Sequence, residues 1–583
     1  MTGVGRFLST RLDGAAMRPH DSTGLMTRIA LIFGFGLLCL VVLVPSLLVL
    51  IQTVFSVQEG AIQLTFGHYI DFFTQIDSYL IVGRTILFSA ITTALAGTAG
   101  FLFAWLSLRT NVPGGKFMVI AITLPYLIPA SFGALSWALL IDPFSGLINQ
   151  WLSHVLPAGA LNIYSFSGMV FVESLCSFPL AFTFFYASLA ATDPVLEEAS
   201  HASGASVWET FRRVTIPRML PNALSIVVLL FILGLESFDV AWFLGYPADI
   251  KMASVEILLL ARISDQPDVG AAAIYGLLML IVVLIFVRLY RRVLMQDRRL
   301  IVKKGKLYRH SPFDIGRLRW VASAAFYLLI VLGGALPLLV LLANSLDIPL
   351  DSLSRYESPR FYYYQWVFDN DESVQALVNT VLIGLGGATI AIGLGFPMAF
   401  LFLKAKQGFR QAIDYLTFLP FVLPASLSGL ALLVAFERTA IYGTVWLLLL
   451  GFCIKVVPFS IRNVQGVLLQ IDHDLELASM TAGGGLLRTI RRIFLPLASP
   501  GLLASWLLLF TVFIRQFSLP LLLATSDSPV MSNLVFREWA AGNTGRVAVC
   551  GVLVVFVSLP LIAVARWLNR QKSEATTGPK SRY

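Results

Sequence analysis

The chain has 583 residues, of which 57% are apolar and only 13% charged, and its mean hydropathy is +0.80. This composition excludes a water-soluble globular protein and leaves room for about twelve membrane helices of roughly 20 residues each. The net charge of +9 does not by itself indicate nucleic-acid binding, because membrane proteins concentrate Lys and Arg in cytoplasmic loops. We expect an all-α membrane protein that contacts lipid and binds no nucleic acid.

Apolar segments recur along the whole chain, six in each half. In the first half we predict membrane spans at 29–51, 85–106, 117–139, 167–190, 224–244 and 271–293. In the second half they are predicted at 320–342, 377–403, 412–436, 442–461, 502–523 and 547–568. We number them spans 1 to 12. The first is too long for the apolar core of a signal peptide, so we expect it to remain in the protein.

Lys and Arg are distributed unevenly between the two sides of the membrane. With the N-terminus inside, 32 of the 42 fall in cytoplasmic tails, loops and adjoining helix ends, and only 8 fall outside. Since cytoplasmic loops are enriched in these residues, the distribution predicts that both termini are cytoplasmic.

The two halves resemble each other in sequence, which indicates an internal repeat. Segment 124–131 (LPYLIPAS) in span 3 matches 419–426 (LPFVLPAS) in span 9 at an offset of 295, and matches further along the chain have an offset of 279. The second half is therefore 16 residues shorter between its third and fourth spans. Six spans per copy give both copies one orientation, which predicts two parallel six-helix repeats and a central pathway between them.

The repeat also sets the expected domain boundaries. We predict an N-terminal cytoplasmic tail at 1–28, a first membrane domain at 29–293, a basic cytoplasmic linker at 294–319, a second membrane domain at 320–568 and a cytoplasmic tail at 569–583. The basic residues of the linker fit the cytoplasmic charge bias. A nucleic-acid or lipid-headgroup patch is the alternative interpretation of that linker.

A polar segment of 25 residues follows the fourth span of each half. Segments 193–217 (DPVLEEASHASGASVWETFRRVTIP) and 472–496 (DHDLELASMTAGGGLLRTIRRIFLP) agree at 10 of 25 positions. Asp193 is a suitable N-cap, Pro194 suits the first helical position, and Gly204 can end a short helix. We predict a helix-turn-helix elbow in each half, with loops at 193–221 and 472–500, that forms docking surfaces for two equivalent partners. A loop that packs only on its own chain is the alternative.

These segments resemble the EAA loop of binding-protein-dependent ABC importer permeases, whose pattern is EAA, three residues, G, nine residues, I-x-L-P. The first copy matches it at Glu198-Ala199-Ser200, Gly204, Val214 and Ile216-Pro217, and the second at Ala478-Ser479, Gly483, Ile493 and Leu495-Pro496. The second copy departs from the pattern at Leu477, where the family has Glu. The resemblance covers roughly residues 25 to 570, as two fused permease domains.

The resemblance implies that the elbows couple the permease to two ABC ATPase subunits. It also implies a periplasmic or lipid-anchored solute-binding protein and a location in the bacterial inner membrane. The coupling-loop residues that it implies are Glu197, Glu198, Ala199, Gly204, Arg212 and Pro217, with Glu476, Ala478, Gly483, Arg491 and Pro496.

The chain itself contains no phosphate-binding loop. The nearest string, Gly114-Gly115-Lys116, lacks the first glycine and the hydroxyl residue of the motif. We therefore expect a transport subunit rather than an enzyme, with no cofactor of its own, and ATP and Mg²⁺ on a partner ATPase.

The expected solute comes from a more local resemblance. Segment 237–257 (SFDVAWFLGYPADIKMASVEI), with 268–280 (DVGAAAIYGLLML), is similar to the fused permeases of iron(III) importers. Spermidine/putrescine, thiamine and phosphonate permeases share part of this series, and their solutes remain alternatives.

Polar and ionisable residues inside predicted spans are costly in lipid and normally face a cavity or a partner. The candidate pathway residues are Glu173, Glu236, Asp239, Lys455, Arg515 and Gln516. Glu236 and Arg515 occupy equivalent positions in the two halves, so we expect them to approach each other near the central pathway. They form either an ion pair that packs the halves or the polar lining of a gate. Carboxylates suit a hard ferric ion, but we predict no permanent metal site.

Two other functional classes compete with the importer. An ion-coupled secondary transporter can also have twelve spans in parallel halves, but it would not explain the repeated elbow. A membrane enzyme is disfavoured because the six histidines are scattered among loops and tails without metal-ligand spacing.

Overall fold

The computed structural model describes residues 43–58, 61–157, 159–190, 192, 194–296, 312–348, 360–404 and 423–559, together with isolated positions between 32 and 40. Nearly all regular structure in these ranges is helical. One antiparallel hairpin, Phe55–Gln58 with Ala61–Leu64, follows span 1. Apart from this hairpin, the predicted all-α class is confirmed.

The long apolar helices coincide with the predicted spans. Within the described ranges, eight helices are long and apolar enough to cross a membrane: Ile76–Arg109, Phe166–Ala190, Val207–Leu235, Val269–Leu289, Leu318–Ser345, Asp371–Leu403, Val445–Leu468 and Leu486–Ile514. They correspond to spans 2, 4, 5, 6, 7, 8, 10 and 11. Shorter apolar helices, Leu43–Gln52, Ala425–Phe436 and Thr544–Leu559, lie at spans 1, 9 and 12, whose other residues are largely outside the described ranges.

Span 3 is a broken helix. Its two parts, Gly115–Leu127 and Ala130–Ile141, meet at an angle of 83°. Pro129 has no backbone N–H and disfavours a helical conformation at the preceding residue, and Ile128 is accordingly extended. In span 9, helix Ala425–Phe436 likewise begins after a proline, Pro424.

Spans 5 and 11 end earlier than predicted. Their helices reach only Leu235 and Ile514, whereas the predicted ends were 244 and 523. The residues beyond each break, although interrupted by Glu236 and Asp239 or by Arg515, remain apolar enough to have extended the predicted spans. They form separate short helical turns at Ala241–Gly245 and Ser518–Leu523. Hydropathy measures composition and not chain direction, so it could not reveal the breaks.

The two halves form one packed unit. Helix Ile76–Arg109 packs along Phe166–Ala190 in the first half, and helix Asp371–Lys404 packs along Val445–Leu468 in the second. Helix Val269–Gln296 of the first half also contacts helix Ala425–Phe436 of the second. One apolar core therefore runs through both halves, and a second cluster packs around Phe103, Phe182 and Phe326.

The end of the linker packs on the first half. Of the predicted linker at 294–319, residues 297–311 lie outside the described ranges, whereas Phe313 forms backbone hydrogen bonds with Arg109 and Asn111. The Asn111 side chain donates to Asp314 at 2.6 Å. Hydrogen bonds from the Gly316 backbone N–H and from Asn111 hold the pKa of Asp314 below its usual range. These contacts tie the start of the second half to the loop after span 2.

Candidate functional site

Both predicted elbows form, and each contains a glycine in the left-handed region. The first elbow, residues 193–217, has a helix at Val195–Ala202 and a turn at Gly204 with φ of 91°. The second, residues 472–496, has a helix at His473–Thr481 and a turn at Gly483 with φ of 75°. Glycine adopts these angles without steric cost, which explains why it occurs at this position in both copies.

The predicted helix start is seen in the second elbow and is shifted in the first. The Asp472 carboxylate accepts a hydrogen bond from the Asp474 backbone N–H at 3.1 Å, as expected of an N-cap. The first helix begins at Val195, with Pro194 at the capping position. Asp193, its predicted cap, lies outside the described residues.

One side-chain hydrogen bond closes both elbows. The hydroxyl oxygens of Ser200 and Thr210 are 3.0 Å apart in the first, and those of Ser479 and Thr489 are 2.7 Å apart in the second. Each bond joins the short helix to the start of the next one. The two elbows therefore share an internal construction as well as a sequence pattern.

Glu197 is buried inside the first elbow, with 2% of its surface exposed. Its carboxylate accepts hydrogen bonds from Arg109 Nε and Thr215 Oγ1, both at 2.8 Å. Arg109 also donates to the backbone carbonyl oxygens of Leu189 and Thr192. Glu197 thus fastens the elbow to the end of span 2 instead of facing outwards.

The equivalent acid of the second elbow, Glu476, is also buried. The other coupling-loop residues face outwards: Ala199, Gly204, Arg212, Pro217, Ala478, Gly483, Arg491 and Pro496 are exposed, and Glu198 is partly exposed. Sequence reasoning missed the most exposed apolar residues, Trp208 at 65% and Leu487 at 80%. The sequence could have indicated them, because the offset of 279 places a large apolar residue at the same position in both polar loops.

Each elbow continues into a membrane helix without interruption. Helices Val207–Leu235 and Leu486–Ile514 each contain 29 residues and are roughly 43 Å long at 1.5 Å per residue. Both include one turn of π-helix near the elbow, at Phe211–Thr215 and Ile490–Phe494. The residues that follow the far ends of these helices are Glu236 and Arg515.

A cavity of about 700 Å³ lies between the two halves. All six predicted pathway residues line it: Glu173, Glu236, Asp239, Lys455, Arg515 and Gln516. On the elbow helix of the first half the lining begins at Ser225, beyond the turns next to the elbow, and continues past Glu236. The cavity therefore lies at the end of this helix that is farther from the elbow.

Glu236 forms an ion pair across the two halves, but not with Arg515 as predicted. Its partner is Lys455, whose Nζ lies 2.8 Å from Glu236 Oε1. Lys455 also donates to the backbone carbonyl of Leu423 at 2.6 Å. Glu236 and Arg515 both line the cavity, but the ion pair between them, one of the two alternatives, was wrong, because Arg515 reaches the broken span of the other half.

Arg515 binds the break in span 3. It donates to the carbonyl oxygens of Tyr126 at 2.6 Å and Ile128 at 3.2 Å, and its guanidinium lies 4.8 Å from the centre of the Tyr126 ring. Ile128 and Leu423 are equivalent positions at the offset of 295. A helix break leaves carbonyl groups without helical partners, and these need other donors inside a membrane. Arg515 supplies such donors to the break in span 3, and Lys455 donates to the equivalent carbonyl of Leu423, just before helix Ala425–Phe436.

Glu173 and Asp239 lie on the first-half wall of the cavity. Glu173 accepts hydrogen bonds from Ser237 Oγ at 2.7 Å and Ser177 Oγ at 3.2 Å. The backbone N–H of Ser131 lies next to the Asp239 carboxylate. In the part of the chain that the structure describes, no group of three or more His, Cys, Asp and Glu side chains is arranged to hold a metal.

Comparison with known proteins assigns the family. The model of the binding-protein-dependent transport system inner membrane component matches residues 96–299 and again residues 391–574, which together are more than half of the chain. The chain belongs to this family. It is therefore a two-domain permease, a multi-pass inner membrane protein and the membrane component of a transport system.

Individual relatives are more distant. The chain is 22% identical to the ferric transport system permease protein FbpB of Actinobacillus pleuropneumoniae over 84% of this chain and 71% of that protein. It is 24% identical to the spermidine/putrescine transport system permease protein PotC of Haemophilus influenzae, over 41% of this chain and 92% of that protein. A crystal structure of a bacterial ABC transporter involved in alginate import matches with a TM-score of 0.36 and 19% identity, over 40% of this chain and 85% of that chain.

Aromatic side chains pack across the two halves of the permease at the cavity. Phe238 and Phe517, which are equivalent residues, both line the cavity, and their ring centres are 6.1 Å apart. Trp242 stacks on Phe536 at 4.5 Å, and Phe243 contacts Trp539 at 5.4 Å. These contacts follow the helix ends at Leu235 and Ile514, on the side of the cavity opposite the elbows. Aromatic rings of both halves therefore pack together on that side.

Proposed function

We propose that this permease imports iron(III) across the inner membrane, driven by two ATPase subunits that dock on its elbows. The observation that carries the proposal is the continuity of each elbow with a long helix that ends at a charged residue of the central cavity. Movement of an elbow would then reach Glu236 or Arg515 through one rigid element. A binding protein delivers the solute at the opposite, aromatic face.

The elbows suit paired docking. They share a turn, an internal hydrogen bond and a buried acid, and each exposes a large apolar side chain, Trp208 or Leu487, at the equivalent position. Exposed apolar residues surrounded by polar ones are typical of protein interfaces. The excess of Lys and Arg on the elbow side supports a cytoplasmic location for both elbows and both termini.

Three observations support iron(III) as the solute. The series at 237–257 is similar to iron(III) permeases, a relative that matches most of the chain carries a ferric transport name, and carboxylates of the first half line the cavity. Hard cations prefer such oxygen ligands. A polyamine is the second candidate, because a named spermidine/putrescine permease matches 41% of the chain and carboxylates also suit ammonium groups.

Assembly with the ATPase tests the docking surface. The double variant Trp208→Glu with Leu487→Glu should lose co-purification with the ATPase subunits, since a buried charge opposes an apolar contact. Trp151→Glu is the matched control, because Trp151 is 68% exposed but lies in the loop after span 3. Retention of the ATPase by the double variant would place docking elsewhere.

Uptake by cells that express the complete transporter tests the solute and the energy source. Radioactive iron(III) should accumulate, and labelled spermidine should not. Uptake should persist when the proton gradient is collapsed while ATP is maintained. Loss of uptake under that condition would instead indicate a secondary transporter.

The role of the cavity charges has its own test. Glu236→Gln and Arg515→Gln should each reduce iron(III) uptake, because each removes a contact between the two halves. Glu236 contacts Lys455, and Arg515 contacts the carbonyl groups of Tyr126 and Ile128. Normal uptake by both variants would remove these residues from the pathway.

A further inference from the structure

The two walls of the cavity carry opposite charges. Among the residues that line it, every carboxylate belongs to the first half, namely Glu173, Glu236 and Asp239, and every basic side chain belongs to the second, namely Lys455, Arg462 and Arg515. Alignment of the two halves shows that two of these charged residues have uncharged counterparts in the other half. At the offset of 279, Lys455 corresponds to Cys176, and Glu173 corresponds to Phe452.

The basic wall retains hydrogen-bonding capacity. Lys455 has three N–H donors and Arg515 has five. Lys455 donates to Glu236 and Leu423, and Arg515 donates to Tyr126 and Ile128. Each side chain therefore has N–H groups beyond those used in these contacts. Both side chains line the cavity, so an anionic group inside it can receive these donors.

The acidic wall has a different set of partners. Glu173 is held by the hydroxyl groups of Ser177 and Ser237, and neither Glu173 nor Asp239 forms an ion pair within 4.0 Å with a described basic residue. A cation in the cavity can therefore approach both carboxyl groups without displacing a basic partner. A positively charged part of a solute would be favoured on this wall and disfavoured on the opposite one.

The size of the cavity also exceeds what a hydrated ion needs. Six water molecules occupy roughly 180 Å³ at about 30 Å³ each, which is about a quarter of the cavity of about 700 Å³. Cavities in this size range bind small organic molecules. A bare trivalent cation would leave most of the space empty and would face a wall with three basic side chains, Lys455, Arg462 and Arg515.

We infer that the cavity accepts iron(III) as a complex with an anionic oxygen ligand, in which the metal faces the first-half carboxylates and the ligand binds Lys455 and Arg515. This inference rests on the proposed function. Carboxylate and phosphate ligands share the required chemistry. The complex enters intact, so metal and ligand cross the membrane together.

Dual-label uptake tests the inference on the unmodified transporter. Cells that express the complete transporter receive ⁵⁵Fe with ¹⁴C-citrate in one arm and ⁵⁵Fe with ³²P-phosphate in the other. We expect both labels of one arm to enter in a fixed ratio, dependent on this permease, and the arm identifies the ligand. Entry of ⁵⁵Fe without either anion overturns the inference and leaves the proposed function intact. Absence of permease-dependent ⁵⁵Fe entry refutes the proposed function.

Two variants separate anion binding from a purely structural ion pair. Lys455→Gln should lower co-uptake about tenfold, the equivalent of one charge-assisted hydrogen bond. The double variant Glu236→Gln with Lys455→Gln should remain equally low, because the anion still lacks its donor. Recovery of uptake in the double variant would show that Lys455 serves only to neutralise Glu236.

A third substitution controls for the loss of a positive charge. Lys116→Gln also removes a lysine charge, but Lys116 is exposed and does not line the cavity, so co-uptake should be unchanged. Size-exclusion chromatography and thermal unfolding of each purified variant exclude misfolding as the cause of a loss. If a cavity variant fails to fold, the dual-label result on the unmodified protein still decides the inference.

Discussion

The two halves of the permease are alike at the elbows and unlike in the cavity. Both elbows contain a left-handed glycine, a buried acid and a hydroxyl-hydroxyl hydrogen bond at equivalent positions. In the cavity, by contrast, the acids come from one half and the bases from the other. The two halves are therefore alike at the elbows, whereas in the cavity one half supplies the acidic side chains and the other supplies the basic ones.

The kind of partner each region meets explains this difference. Two copies of one docking partner require two like surfaces, so the elbows must keep the same geometry. A single solute on the pseudo-twofold axis contacts both walls at once. If that solute is asymmetric, the two walls can carry different side chains. Under the proposed function, the charge separation fits an asymmetric solute, and the paired elbows fit two like ATPase subunits.

The largest effect is expected from the buried acids of the elbows. Glu197→Ala leaves Arg109 buried without its ionic partner, and loss of one member of a buried pair costs about 3–5 kcal/mol. Glu476→Ala should cost less, because Phe494 stands where the first elbow has Thr215 and supplies no hydroxyl donor. Hydrogen exchange of the backbone amides in Val195–Ala202 and His473–Thr481 measures both.

Thr215→Val serves as the control for the first elbow. It removes one of the two donors to Glu197 and should cost about 1 kcal/mol, as for an ordinary hydrogen bond. Unchanged exchange in Glu197→Ala would mean that the ion pair does not hold the elbow. A larger effect of Glu476→Ala than of Glu197→Ala would mean that the second elbow fastens its acid more strongly.

A smaller and equal effect is expected at the two turns. Gly204→Ala and Gly483→Ala force a side chain into the left-handed region, at about 1–2 kcal/mol each. Neither position has another atom within 4 Å of the added carbon, so backbone strain is the only cost. Faster hydrogen exchange of the elbow amides in each variant measures this cost.

Gly466→Ala is the matched control for both turns. Gly466 has equally open surroundings but lies within helix Val445–Leu468, so alanine should stabilise it by up to about 1 kcal/mol. If Gly204→Ala destabilises its elbow and Gly483→Ala does not, the two turns differ in geometry. The two elbows would then not be structurally equivalent.

Much of this architecture could be predicted from the amino-acid sequence. The spans, the repeat and the elbows follow from hydropathy and from a fixed offset, both of which are local or periodic signals. The six pathway residues could be selected because a polar group within a span must find a cavity or a partner. None of these inferences needed a distance between remote residues.

The pairings inside the site could not be predicted in the same way. Glu236 contacts Lys455, 219 positions away, and not its symmetry counterpart Arg515. Glu197 was predicted only as a coupling-loop residue, and its buried contact with Arg109, 88 positions earlier, could not be inferred from the loop pattern. Such contacts depend on how the helices pack, and on breaks after Leu235 and Ile514 that fall inside segments predicted as continuous spans.

The smallest predicted effect gives the strictest comparison of the elbows. Ser200→Ala and Ser479→Ala each remove a hydrogen bond between hydroxyl groups that are partly buried, so each should cost about 0.5–1.5 kcal/mol. The threonine hydroxyls differ in the hydrogen bonds that they keep after the substitution. Thr489 Oγ1 still donates to the Gly485 carbonyl at 3.2 Å. Ser479→Ala should therefore cost slightly less than Ser200→Ala, as measured by exchange of the elbow amides. A clear cost in only one elbow would show that the shared hydrogen bond maintains one docking surface and not both.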